Sequence, residues 1–207
     1  MRPTVRSNLC ALAVVAALTG AGAAQAQAPD PAAAPVAQLD DALIAAMKNG
    51  GSGAYRARYA ALKPVIEQTL DIPTMTRLSV GAAWTGLSEG QRAALIAAFE
   101  HLTVASYAHN FNSYSGEHFL MDPHVDARGG DRFVQTHLLP RRGEAVASLA
   151  YRMRQTPAGT WKVIDVYYNG TISQLTTRRA DFAGTLSTGG AQALINQLNS
   201  QADKMAK

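Results

Sequence analysis

The hydrophobic period of this chain changes twice, and those changes bound the fold more tightly than any single motif. Between residues 39 and 112 apolar side chains recur about every 3.6 positions, between 117 and 168 every second position, and from 174 onward at the helical spacing again. Strand-like runs at 117–127, 132–140, 144–155 and 160–168 are separated by RGGD, PRRGE and TPAGT, each short enough for a hairpin turn. Helices, then four strands, then helices make an α+β domain: a four-stranded antiparallel meander packed with N- and C-terminal helices.

The helical signals are local. Leu39, Leu43 and Met47 share one face, and NGGSG at 49–53 closes that helix. Tyr55, Tyr59, Leu62 and Ile66 mark a second helix, which Pro64 should kink. Residues 70–84 read as a short helix opened by Pro73 and anchored by Met75, Leu78 and Trp84. Ser88 and Gln91 fit a capping box ahead of the longest helix, roughly 89–112. Its core stripe is Leu95, Phe99 and Leu102, widened by Ile96, Tyr107 and Phe111 beyond what contact with one neighbour requires. After the Asn169-Gly170 turn, Leu175, Phe182 and Leu186 define another helix, and beyond STGG a last one carries Leu194, Ile195 and Leu198.

The final strand, TWKVIDVYY, raises a packing question. Strict alternation puts Trp161, Val163 and Tyr167 on one face and Ile164, Val166 and Tyr168 on the other, so both faces are apolar. An antiparallel sheet ordinarily turns one polar face to water. The neighbouring runs repeat the pattern: Val146 and Ala150 oppose Leu149, Tyr151 and Met153, while Phe133 and Leu139 oppose Val134 and Leu138. Helices on both faces would bury these side chains, and a cavity would use the same ones.

Residues 1–26 read as a secretory signal peptide, with Arg2 and Arg6, an apolar run from Leu9 to Ala24, and the small-x-small site Ala24-Gln25-Ala26. Cys10, the single cysteine, falls inside it, so a mature chain from Gln27 has no thiol for a disulfide, a nucleophile or a zinc site. QAPDPAAAPVAQ, residues 27–38, reads as a disordered Pro/Ala tether. Residues 39–205 are then one domain, large enough for a sizeable core. Without Arg2 and Arg6 there are 17 basic against 15 acidic residues, a balance that does not point to nucleic acid. No later segment approaches the ~20 apolar residues of a membrane span.

Candidate chemistry is sparse. His101 and His109 lie eight apart on one helix, too far to share a metal unaided, and no H-E-x-x-H occurs. Asp122, His124 and Asp126 alternate along one strand face, tolerable for a hard cation but equally what a solvated edge strand presents, so no metal site is assigned. There is no G-x-S-x-G nucleophile turn and no phosphate-loop lysine. Asp165 is the most informative acid because it sits in the middle of an apolar strand. A buried carboxylate is costly unless paired, so it should hold a cation or backbone N–H groups, and Arg178 and Arg179 are the obvious cations for a structural clamp. The sharper alternative is a small-molecule-binding or enzymatic NTF2-like domain using Asp165 or a histidine in a smaller pocket.

The order of these motifs resembles the MlaC family of periplasmic phospholipid-binding proteins, also called the toluene-tolerance family. The resemblance runs from about residue 40 to the end. It is carried by Met75…Leu78…Gly81…Trp84…Leu87-Ser88 with Gln91-Arg92, by Trp161-x-Val163-x-Asp165-Val166, and by Arg179 to Phe182. Asn169-Gly170 stands where the family commonly has Glu-Gly, which leans the chain towards the hopanoid-associated HpnM branch. The resemblance implies an α+β fold, NTF2-like in outline, whose sheet and helices part around a hydrophobic lipid cavity. It implies a non-enzymatic periplasmic carrier without a cofactor, shuttling phospholipid or hopanoid between inner and outer membrane. Implied partners are an outer-membrane lipoprotein–porin complex and an inner-membrane ABC transporter with an MCE subunit, or an RND-type exporter for the hopanoid branch. On that footing the tail-lining residues are Leu95, Phe99, Leu102, Tyr107 and Phe111 from the long helix and Phe133, Leu149, Tyr151, Val163 and Val166 from the sheet. An assembly factor with a solid core is a third reading, which the presence or absence of a cavity decides.

Overall fold

The computed structural model describes residues 29–51 and 54–206, so the signal-peptide reading of 1–26 lies outside the described residues. The helices are α1 (Ala33–Lys48), α2 (Tyr55–Thr69), α3 (Ile72–Val80), α4 (Glu89–Asn110) and α5 (Gln174–Met205). The strands are β1 (His118–Met121), β2 (Asp126–Arg128), β3 (Asp131–Leu139), β4 (Ala147–Gln155), β5 (Trp161–Tyr168) and β6 (Ile172–Ser173). They form one antiparallel sheet in the order β1-β3-β4-β5-β6, with β2 also paired to β3. The α+β class and the meander follow the sequence reading, with two small strands added.

Side-chain caps place the helix starts. Asp71 accepts from the Thr74 N–H at 3.0 Å with Pro73 in the first turn, and Ser88 and Gln91 form the reciprocal capping box. Ser173 accepts from the Thr176 N–H at 3.0 Å and opens α5. The STGG break is a kink rather than a loop: Gly190 has φ 66°, a left-handed value that favours glycine, and helix continues on either side. α2 runs through Pro64.

Two expectations need correction. The Pro/Ala segment is helical from Ala33, and Ala32 and Val36 are fully buried against the core, so the tether reading fails for 33–38. The cause is helical phase: Val36 falls three residues before Leu39 on the same face. The strand expected at 117–127 is broken at 122–125, and its halves pair with opposite ends of β3. Pro123 lies in that break, where it has no N–H to give a ladder.

The decisive irregularity is in β5. Tyr151 pairs with Val166 and Met153 with Val163, so three residues of β5 span what two span in β4, and the register shifts at a β-bulge around Ile164. Cross-strand partners point to the same face, so Val163 and Val166, expected on opposite faces, both face the helices. That face carries Val134, Tyr151, Met153, Val163 and Val166, all buried against α1 to α5. The other face is half-exposed and uncovered by helices. It carries Phe133 packed on Tyr167 with ring centroids 6.1 Å apart, and Arg128 over the Phe133 ring at 5.0 Å. Asp131 is buried there between Arg154 at 2.7 Å and Arg152 at 2.6 Å, which hold its carboxyl below the usual carboxylate range.

Asp165 sits beside the bulge, buried, and its carboxylate accepts from the Val166 N–H (2.8 Å), the Leu175 N–H (3.1 Å) and the Ser173 hydroxyl (2.6 Å). These bonds join β5 to the first turn of α5. Replacing Asp165 with alanine strands two buried N–H groups and is expected to lower the urea unfolding free energy by about 3 kcal/mol. Ser173→Ala is expected to lower it by about 1 kcal/mol, the usual loss of one cap.

Candidate functional site

α4 presents Thr103, Ser106, Tyr107, Asn110 and Phe111 along one face, at i, i+3, i+4, i+7 and i+8. Opposite them stand Leu149 of β4 and Val166 and Tyr168 of β5, with Leu70 and Met75 at the α2–α3 junction and Gln174, Leu175 and Arg178 from the start of α5. These side chains enclose a mostly apolar cavity of about 260 Å³. That is just under the ~300–1,000 Å³ typical of small-ligand sites. Tyr107 and Phe111 stack with centroids 5.9 Å apart, Phe119 leans on Phe111 at 6.4 Å, and Tyr168 is 42% exposed at the rim.

Of the ten residues expected to line a lipid site, Tyr107, Phe111, Leu149 and Val166 do line this cavity. Leu95, Phe99, Leu102, Tyr151 and Val163 are buried in the surrounding core. Phe133 is on the opposite face of the sheet, against Tyr167. Sequence reasoning missed Thr103, Ser106 and Asn110, although they share a helix face with Tyr107. It also missed Tyr168, which pairs directly with Leu149 across the β4–β5 ladder.

The clamp has different partners from those expected. Asp165 takes backbone N–H groups and a hydroxyl, not Arg178 or Arg179. Arg179 lies against Gly81, where a β-carbon would come within 2.9 Å of its Nε. Arg178 turns inward to the cavity, with its guanidinium carbon 4.7 Å from the Phe99 ring centroid. Its Nη1 is shut off from solvent and has no hydrogen-bond partner among the described residues. Burial lowers its pKa, while Tyr107 and Asp181 act in the opposite direction. A cation–π contact is worth ~0.5–2 kcal/mol, less than the several kcal/mol lost when a buried charge lacks a partner. Arg58 is the contrasting case: more deeply buried than the half-buried Arg178, it donates to the carbonyls of Ala108 and Gly51, each at 2.9 Å.

Deeper in the core, α1 brings Asp40 towards the Tyr151 hydroxyl, but Asp40 Oδ1, Tyr151 and Thr136 all lack a hydrogen bond of normal geometry. Burial, reinforced by Asp41, pushes the Asp40 carboxyl up to about 8, and burial pushes the Tyr107 hydroxyl up to about 12.

The acids and histidines lie elsewhere. Among the described residues no histidine or carboxylate lines the cavity. Asp122 pairs with His137 at 3.1 Å, whereas Asp126 pairs with His124 at 3.2 Å and Arg128 at 2.9 Å, so Asp122 is turned away from the other two residues of the candidate cation motif and the three do not converge. His137 also meets the Ser148 hydroxyl at 2.9 Å, a serine–histidine–aspartate row on the open face of the sheet. A serine hydrolase needs an enclosed site with N–H donors aimed at an oxyanion, and this row faces away from the cavity.

A family model described as "MlaC protein" matches residues 37–200. A phospholipid-binding protein from Ralstonia solanacearum, solved in complex with a phospholipid, has a similar fold, with a TM-score of 0.68. The two chains are 22% identical, over 85% of this chain and 99% of that one. No curated protein matches the chain. No helix among the described residues is long and apolar enough to cross a membrane.

The Asp40 carboxyl has a folded-state pKa of about 8 against an unfolded value near the ordinary 3.8. The folded state therefore holds the extra proton between those values, and stability falls as pH rises through that window. Urea titrations are expected to show a loss of up to ~1.4 kcal/mol per pH unit from this group. Asp40→Asn is expected to flatten the slope and make the protein more stable than the wild type at pH 8.

Proposed function

The chain belongs to the MlaC family, and on that premise we propose that it is a periplasmic lipid carrier that encloses acyl chains without chemical turnover. The observation that carries this reading is the apolar cavity between α4, the β4–β5 face and the start of α5, with an aromatic rim and, among the described residues, no carboxylate or histidine in its lining. The bound phospholipid of the Ralstonia solanacearum protein, whose fold is similar, supports the same ligand class here.

Moving one methylene out of water is worth ~0.8 kcal/mol, so about a dozen of them hold a tail at ~10 kcal/mol against escape into solvent. Against a bilayer the transfer is close to neutral, so loading and unloading belong at docked membrane proteins. An outer-membrane lipoprotein–porin complex and an inner-membrane ABC transporter with an MCE subunit fit that role. The sequence carries no phosphate-loop lysine, so the direction of transport comes from the partner.

A cavity of about 260 Å³ takes only part of a two-chain lipid, so a wall must yield. The first half of α5 is that wall. Phe182 is its single buried side chain between Gln174 and Gly190, whereas Ala191, Leu194, Leu198 and Ala202 anchor the second half. The break at Gly190 lets the first half move while the second stays packed.

Native mass spectrometry of gently purified mature protein is expected to show bound lipid. Leu149→Trp, which fills the cavity, is expected to cut uptake from phosphatidylethanolamine/phosphatidylglycerol vesicles at least about tenfold, equivalent to ~1.4 kcal/mol, while the protein stays folded by circular dichroism. Wild-type protein that carries no lipid and takes none from vesicles would contradict the proposal.

A further inference from the structure

Arg178 borders two concavities. On one side is the apolar cavity; on the other a groove between α4 and α5, which shares Ser106, Gln174 and Arg178 with it. The groove adds polar side chains, among them Thr177, Asp181, Gln197 and Gln201. The guanidinium is therefore placed where an amphiphile changes from tail to head.

Among the described residues no side chain or carbonyl takes a hydrogen bond from the Arg178 guanidinium. Nη1 is sealed from water with no acceptor among the described residues, and no carboxylate there lies within ion-pairing distance. Asp181, one turn further along α5, attracts the cation electrostatically without pairing to it. Arg58 shows that this fold gives a buried guanidinium carbonyl partners when its role is structural. Phe99 supports one face of the Arg178 group, and Tyr107 lies nearby with a hydroxyl that can donate. An arginine fork with free N–H groups matches a two-oxygen anion.

We infer that Arg178 is an oxyanion receptor inside the carrier: the ligand's phosphodiester or carboxylate sits on the guanidinium, its chain fills the cavity, and the rest of its head lies in the α4–α5 groove. The inference rests on the lipid-binding reading and narrows it. Amphiphiles with an anionic group at the head–tail junction are the preferred cargo, and neutral polycyclic lipids are poorer ligands.

The test uses delipidated mature protein and three probes with the same sixteen-carbon chain: hexadecylphosphocholine, palmitate and the neutral monopalmitin. Wild-type protein should bind at least one charged probe about tenfold or more tightly than monopalmitin, and the favoured probe identifies the anion as phosphodiester or carboxylate. Arg178→Gln should bring that probe to the level of monopalmitin, leave monopalmitin unchanged, and melt no lower than wild type when free of lipid. Arg178→Lys, which keeps the charge but loses the fork, should retain part of the preference; it decides the matter if the glutamine variant does not fold. Equal binding of all three probes by wild type, or discrimination that survives in Arg178→Gln, overturns the assignment to Arg178 and leaves lipid binding intact. Failure of all three to bind overturns both.

Discussion

Three hydrogen bonds converge on the Asp165 carboxylate, and the position of the cavity depends on them. The bulge in β5 brings Val163 and Val166 to the same face and leaves Asp165 beside the break in register. From there it receives the N–H of Leu175 and the hydroxyl of Ser173, which caps α5, so the last helix starts at a fixed point against the sheet. Leu175 and Arg178, three apart on that helix, then reach the cavity together. A carboxylate that at first sight looks like a catalytic candidate is thus a joint. The chemistry of the site falls to the arginine one turn further on.

That joint separates a rigid part of the molecule from a yielding one. α4 and the sheet are tied by a continuous core running from Leu95 through Phe99 and Tyr151 to Val163. The first half of α5 is tied at its start by Asp165 and buries one side chain, Phe182, whose ring meets Phe99 edge-on at 6.3 Å, while Leu175 and Leu186 are only half-buried against the core. Beyond Gly190 the helix is core again. On the proposed lipid-carrier reading, a half-helix between two anchored ends is the element whose motion enlarges the cavity without unfolding the domain.

The parts of the fold that depend on nearest neighbours were legible in the sequence. The Pro73 opening of α3, the capping box at Ser88 and Gln91, the Asn169-Gly170 turn and the switch of period all act over a few residues, and each appears in place. The bulge was not legible, because it is a relation between β5 and β4 that alternation along one strand cannot reveal. Proline and alanine content misled at the start of α1. Residues 33–38 look like a tether by composition, yet alanine is the strongest helix former and Val36 keeps the phase of Leu39. For the site, the apolar arc of α4 reads as wider than one neighbour requires; Leu95, Phe99 and Leu102 face core, and of the apolar residues named on it Tyr107 and Phe111 reach the cavity. Arg178 was paired with Asp165 because the two are close in sequence. Its phase with Leu175 placed it on the cavity instead, and only the fold showed that backbone groups had already satisfied the acid.

The most direct measurement is nuclear Overhauser transfer from the acyl chain of a bound phospholipid to ¹³C-labelled valine and leucine methyls in otherwise deuterated protein. Enclosure of the chain between α4, β4 and the start of α5 gives cross-peaks to Val166, Leu149 and Leu175, and none to Val163 or Leu95. Cross-peaks at Val163 and Leu95 with none at Val166 and Leu149, or chain contacts confined to exposed methyls such as those of Leu120 and Val146, would contradict it.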